Sequence, residues 1–238
     1  MTIQTRNIEY EIDGKIYEGV LAFDDARSGA LPGVLVSHAW AGRSGFEVDK
    51  AKALAELGFT GFALDLYGKG VLGTSTEENQ ALIAPFVEDR MMLRARLLKI
   101  IDVLKEQPEV DANQIAAIGF CFGGLCVLDI ARTGAEIKGV VSFHGLLGAP
   151  GNTADKIKAK ILALHGWDDP MAPPADVEAL GKELTAAGAD WQLHAYGGVM
   201  HAFTNPEAND PGFGTVYNAG ADRRSWTAMK NFLGEIFE

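Results

Sequence analysis

Residues 115–124 read IAAIGFCFGG. The apolar run Ile115 to Ile118 has the length and composition of a buried strand, and Leu125 to Ala131 beyond it is good helix material. Between them lies Gly119-Phe120-Cys121-Phe122-Gly123-Gly124, with a cysteine at the apex and a glycine two residues to either side. A nucleophile at the tip of a strand–turn–helix needs a strained backbone, and side chains at the flanking positions would clash with strand and helix. The pattern is the G-x-S-x-G nucleophile elbow with Cys in the place of Ser. A helix N-terminus favours an anion, so the setting suits a thiolate, and the Phe122 N–H is placed to hold an oxyanion.

On both sides of this stretch, strands and helices alternate. Ile3 to Ile12 and Ile16 to Phe23 are predicted to pair as a hairpin across Asp13-Gly14. Gly33 to Ser37, Phe59 to Leu64, Lys138 to Phe143, Lys160 to Leu164 and Trp191 to Tyr196 read as further strands. Helices are predicted from Val48 to a stop at Gly58, from about Phe86 to Glu106 with Pro85 dividing it from a shorter piece, from Pro173 or Pro174 to Ala187, and around Trp226 to Phe237. This alternation predicts an α/β fold: a mostly parallel central sheet, an N-terminal antiparallel hairpin, and helices on both faces. With no repeat, low-complexity tract or linker, residues 1–238 are expected to form a single domain.

The 238 residues are 47% hydrophobic and 22% charged, enough for a sizeable core. A net charge of -11 argues against nucleic acid and anionic membranes as partners. The N-terminus has no charged region followed by an apolar run, and no apolar stretch is long enough to cross a bilayer, so a cytoplasmic location is expected. Two cysteines make no disulfide framework. Zinc-binding spacings are absent, and no metal or cofactor is expected.

In parallel sheets ligands bind at the carboxyl ends of the strands. Two loops there offer what a cysteine nucleophile needs. His165-Gly166-Trp167-Asp168-Asp169-Pro170 offers a carboxylate, and Gly197 to Phe203 offers the imidazole of His201. The order is nucleophile, acid, base, as in α/β-hydrolases. His201 would take the thiol proton or pair with the thiolate, and the carboxylate would fix its tautomer.

The chain resembles the dienelactone hydrolase family over nearly its whole length: the hairpin, Asp65-Leu66-Tyr67-Gly68, the Cys121 elbow, His165 to Pro170, and His201-Ala202-Phe203. The resemblance implies a Cys121–His201–Asp169 triad and hydrolysis of a small ester or lactone through an acyl-cysteine. It assigns the acid to Asp169, with adjacent Asp168 as the rival, and a second oxyanion donor to the Trp40 N–H. Two positions depart from the pattern. A Glu that follows the third strand in the founding enzymes is Ala39 here, and an Arg four residues past the His is Asn205. The fold and triad are expected to survive both changes, while cleavage of dienelactone itself is left open by them. Without that Glu, Cys121 is expected to stand more fully as a thiolate beside His201⁺. Glu47 and Glu88 are the candidate replacements, though a solvated helix face is the expected place of each.

His38, Phe203 and Asn205 are candidate pocket residues, His38 with a loop-orienting bond as its competing role. His144 and His165 are expected to tie loops, His194 to be structural, and Cys126 to pack in the core. The other aromatics, Trp40, Phe120, Phe122, Phe143 and Trp167, are core by default, with pocket walls as the alternative for those beside the triad loops. Arg43, Lys69 and Arg90 could meet a substrate carboxylate, with surface solvation the plainer expectation. An acyl transferase and a hydrolase-fold thiol-sensing or binding protein are the alternatives to a hydrolase.

Overall fold

A computed structural model describes residues 2–238. The fold is mixed α/β around an eight-stranded, mostly parallel sheet in the order β1-β2-β4-β3-β5-β6-β7-β8, with two antiparallel N-terminal strands. The chain groups into two compact units, the first running to Ile118 and the second covering Gly119–Glu238. The division falls inside a strand, β5 (Val110–Phe120), directly before the elbow glycine.

In the first unit, β1 (Ile3–Ile12) and β2 (Lys15–Asp24) form the expected hairpin. Asp13 and Gly14 both take positive φ, 52° and 77°, the type I′ turn that suits a twisted two-residue hairpin. β3 (Leu31–Ser37) runs parallel to β4 (Thr60–Ala63), and both are apolar and buried along most of their length. α1 (Gly45–Glu56) packs on β2, β3 and β4.

The division between the next helices is not at Pro85. α2 (Thr76–Glu88) continues through that proline, and the break falls at Asp89, before α3 (Arg90–Lys105). A proline ring removes one helical N–H, which a largely exposed helix near its end tolerates. Asp89 instead leaves the helical region (φ -119°, ψ 83°) and caps the next helix, accepting the Met92 N–H at 2.9 Å.

In the second unit, α4 (Phe122–Arg132) is buried at every one of its positions, as a helix at the centre of a fold must be. β6 (Gly139–Phe143), β7 (Lys160–Gly166) and β8 (Trp191–Tyr196) are parallel. α5 (Pro174–Ala186) opens on a proline, and α6 (Ala219–Phe237) packs on β6 and β7. Arg132, 0% exposed, has its charge matched by Glu183 at 2.8 Å and Asp129 at 3.3 Å, and it donates to the Leu147 carbonyl at 2.8 Å. A buried guanidinium is tolerable only when its donors are so occupied. It ties the loop after β6 to α4 and α5.

The segment 197–218, expected as loop, contains a two-residue antiparallel ladder of β9 (Asn209–Asp210) and β10 (Thr215–Val216). Among the described residues, no helix is long and apolar enough to cross a membrane.

Candidate active site

Cys121 is the residue between β5 and α4, at φ 56° and ψ -116°. That conformation is costly for any side chain, and a residue kept in it marks a functional site more often than a structural one. Gly119 makes the bend possible, since a Cβ there would lie 2.0 Å from the Gly123 carbonyl oxygen. The Cys121 side chain caps nothing, so its sulfur is left for other partners. Its N–H is held by the Phe143 carbonyl at 3.0 Å and by His144 Nδ1 at 3.2 Å. Phe122 is the first residue of α4, so its N–H points along the helix axis at the elbow.

Strain recurs around this point. Four described non-glycine residues have positive φ, and three of them are Cys121, His144 and Ala202, the last directly after His201.

His201 is 1% exposed and Asp169 2%. His201 Nδ1 and Asp169 Oδ2 are 2.7 Å apart. The other Asp169 oxygen accepts the Met171 N–H at 2.8 Å, which fixes the carboxylate's rotation. Asp168, the neighbouring rival, is exposed and makes no such contact with His201. The His201 main chain is clamped on both sides by the β10 segment. Its N–H donates to Gly214 O at 3.0 Å and its C=O accepts the Val216 N–H at 3.1 Å. Gly214 in turn lies against Pro170, where a Cβ would come 2.2 Å from the proline ring. The acid loop and the base loop thus meet at a glycine.

Burial opposes a charge on the His201 ring. The electrostatic influence of the neighbouring Cys121 and the bond to Asp169 outweigh it, and the pKa rises from 6.5 to about 10. His201 Nε2 is buried without a well-formed hydrogen bond. A protonated His201 ring, backed by the Asp169 carboxylate, is the state this arrangement favours.

A family model described as the dienelactone hydrolase family matches residues 18–237. The chain belongs to the dienelactone hydrolase family. Its relatives include an uncharacterized protein of Caenorhabditis elegans, 38% identical over 61% of this chain and 94% of that one. A putative carboxymethylenebutenolidase of Aquifex aeolicus is 27% identical over 95% and 96%. A crystal structure of a dienelactone hydrolase-like promiscuous phosphotriesterase from metagenomic libraries matches at a TM-score of 0.93 with 36% identity, covering 99% of both chains. The family is one of hydrolases, as these relatives' names indicate.

The other residues singled out in this family member divide sharply. His38 is fully buried, and both ring nitrogens are engaged: Nδ1 with the Ala39 carbonyl at 2.7 Å and Nε2 with the Leu66 N–H at 3.2 Å. A carbonyl only accepts and an N–H only donates, so the ring is neutral, in keeping with a pKa lowered by burial. His38 holds its loop and is not a pocket residue. Phe203 is also buried, in a core cluster with Val199 and Ala221, and is not a pocket wall. Asn205 is exposed in a turn, its Oδ1 accepting the Glu207 N–H at 3.1 Å. Trp40 lies in the first unit in the loop after β3, its carbonyl accepting the Tyr67 hydroxyl at 2.9 Å.

Glu47 corrects the expectation of a solvated face. It is 2% exposed, taking the Ser44 N–H and hydroxyl at 2.8 Å and the Ala39 N–H at 3.4 Å. The Ser44-x-x-Glu47 spacing is a capping-box signal that could have revealed this. Glu88 is exposed, as expected. Trp167 is 43% exposed rather than core, and His194 lies exposed on β8. His165 is buried, and burial lowers its pKa and favours the neutral ring. Cys126 is buried in α4. Arg43 and Lys69 are each ion-paired with Glu18, at 3.5 and 3.2 Å. Among the described residues, no group of three or more His, Cys, Asp or Glu could hold a metal.

Proposed function

We propose that the protein hydrolyses small carboxylic esters or lactones through an acyl intermediate on Cys121. The observation that carries this is the buried His201–Asp169 contact at 2.7 Å, with the His201 pKa raised to about 10 by Cys121 and Asp169 together. The thiolate adds to the carbonyl carbon, and the carbonyl π electrons move to oxygen, where the Phe122 N–H stabilises the oxyanion. As the intermediate collapses, the C–O bond to the leaving group breaks and His201 Nε2 gives its proton to the departing alkoxide. In a lactone that alkoxide stays tethered.

The now neutral His201 takes a proton from water as the water oxygen adds to the acyl carbon. Collapse of this second intermediate breaks the C–S bond, releases the acid, and restores thiolate and imidazolium. Asp169 keeps Nδ1 protonated throughout, so the same nitrogen always faces the sulfur.

The direct test is turnover of p-nitrophenyl acetate by wild type and Cys121→Ala, followed by a panel of lactones and short esters with and without a carboxylate. Continuous turnover, abolished in Cys121→Ala, is expected. A single stoichiometric burst would favour a thiol-sensing protein instead. Because one relative is named as a phosphotriesterase, the panel includes an aryl phosphotriester.

A further inference from the structure

His144 follows β6 and makes contact with all three segments that carry the proposed triad. Its backbone N–H donates to the Leu164 carbonyl at 2.8 Å, on the strand that leads to Asp169. Its ring Nδ1 accepts the Cys121 N–H at 3.2 Å. Its ring Nε2 lies 2.8 Å from Thr204 Oγ1, three residues beyond His201. The ring is buried, edge-on to the His201 ring with centroids 5.1 Å apart. The residue holds a φ of 37° to do this, which a side chain of its size rarely adopts.

These bonds determine the tautomer. A backbone N–H can only donate, so Nδ1 carries no proton. The single proton of the neutral ring is then on Nε2 and is donated to Thr204 Oγ1. The imidazole is a strut of fixed polarity, with an acceptor toward the nucleophile's peptide and a donor toward the base's loop. Cys121 has no side-chain cap on its helix, so two acceptors, Phe143 O and His144 Nδ1, restrain its strained peptide.

We propose that His144 is a positioning residue that sets the separation of the Cys121 sulfur and the His201 ring, through the Cys121 N–H at one end and Thr204 at the other. The proposal rests on Cys121 and His201 being the reacting pair. A histidine that merely fills space would need its volume and not its nitrogens.

The test separates those roles in the full chain. His144→Phe keeps a ring and removes both polar ends. His144→Asn restores an acceptor near the Nδ1 position. Thr204→Val removes only the far end. The first readout is the rate of Cys121 alkylation by iodoacetamide, followed by intact mass and peptide mapping, and the second is ester turnover. His144→Phe is expected to slow alkylation by about tenfold or more, and to lower kcat with KM within about threefold of wild type. His144→Asn is expected to recover alkylation to within about threefold of wild type, with Thr204→Val lying between.

Wild-type alkylation in His144→Phe overturns the proposal, and so does an Asn variant as slow as the Phe variant. Should His144→Phe fail to fold, folded Thr204→Val carries the test, and an unchanged rate there overturns the proposal. Because alkylation needs no substrate, the two failures are distinct. A wild type without ester turnover whose alkylation still depends on His144 ends the hydrolase reading and supports the strut. Full turnover with alkylation indifferent to His144 does the reverse.

Discussion

Two helices of this protein begin in opposite ways. α1 starts on Ser44, whose hydroxyl accepts the Phe46 N–H at 3.1 Å while Glu47 reaches back to the Ser44 N–H at 2.8 Å. Every polar atom of that box has a partner, and the backbone at Ser44 is extended and relaxed. α4 starts on Cys121, with no side-chain cap and a backbone in a region that disfavours side chains. The first arrangement stabilises the helix it opens. The second leaves the helix end without a side-chain cap, where the proposed reaction would place an oxyanion. The same structural position is thus relaxed and capped in one helix and strained and uncapped in the other, and on the proposed reading that strain is retained for chemistry at a cost in stability.

The contrast between the two helix starts is most exposed to test at the sulfur. Cys121→Gly should lower kcat by about 10⁴-fold or more in steady-state ester hydrolysis. The same variant should raise unfolding free energy by about 1 kcal/mol in urea titration, because glycine adopts the native φ without strain. A destabilised Cys121→Gly would mean that the cysteine is not strained.

Asp169→Asn should come next, with kcat down by about 10²- to 10⁴-fold, since an amide can present its NH₂ to Nδ1 and reverse the tautomer. With an amide at position 169, Nδ1 becomes an acceptor and the ring's single proton moves to Nε2. The imidazole then loses the carboxylate that supports its charge.

A smaller effect is expected from pH. The His201 pKa is raised to about 10, so the folded state binds its proton more tightly than the unfolded chain does. That contribution to stability is fully present below about pH 6.5 and is lost as pH rises through 10. Alkylating Cys121 alters the side chain whose electrostatic influence most raises the pKa. The His201 midpoint, followed by NMR, should then fall from about 10 toward the ordinary value of 6.5. An unmoved midpoint would show that Asp169 alone sustains the charge.

The smallest effect belongs to the relaxed helix. Ser44→Ala should cost about 1 kcal/mol of stability and leave the Cys121 alkylation rate within about twofold. The Gly and Ala substitutions at the two helix starts should therefore change stability in opposite directions.

Much of this is legible in the sequence because it is written locally. The apolar run before Gly119, the alternating strands and helices, and the Asp13-Gly14 turn each depend on neighbours a few residues away. The assignment of Asp169 over Asp168 comes through family resemblance, and the 2.7 Å contact with His201 agrees with it. What cannot be read depends on partners distant in the chain. Nothing near His144 announces that its two nitrogens face Cys121 and Thr204, 23 and 60 residues away. Nothing near residue 214 announces that the glycine is there for Pro170. The break at Asp89 eludes the sequence for a different reason. Proline looks like the stronger signal there, yet the aspartate's ability to cap a new helix decides the matter. Glu47 is misplaced when a carboxylate on a helix is read without the serine three residues before it.

The clamp on His201 has an evolutionary corollary. Its main chain is gripped by Gly214 and Val216, while the stretch from Asn205 to Phe213 loops outside that grip and is mostly exposed. These consecutive positions can therefore be diversified with the imidazole anchored like a hinge pin.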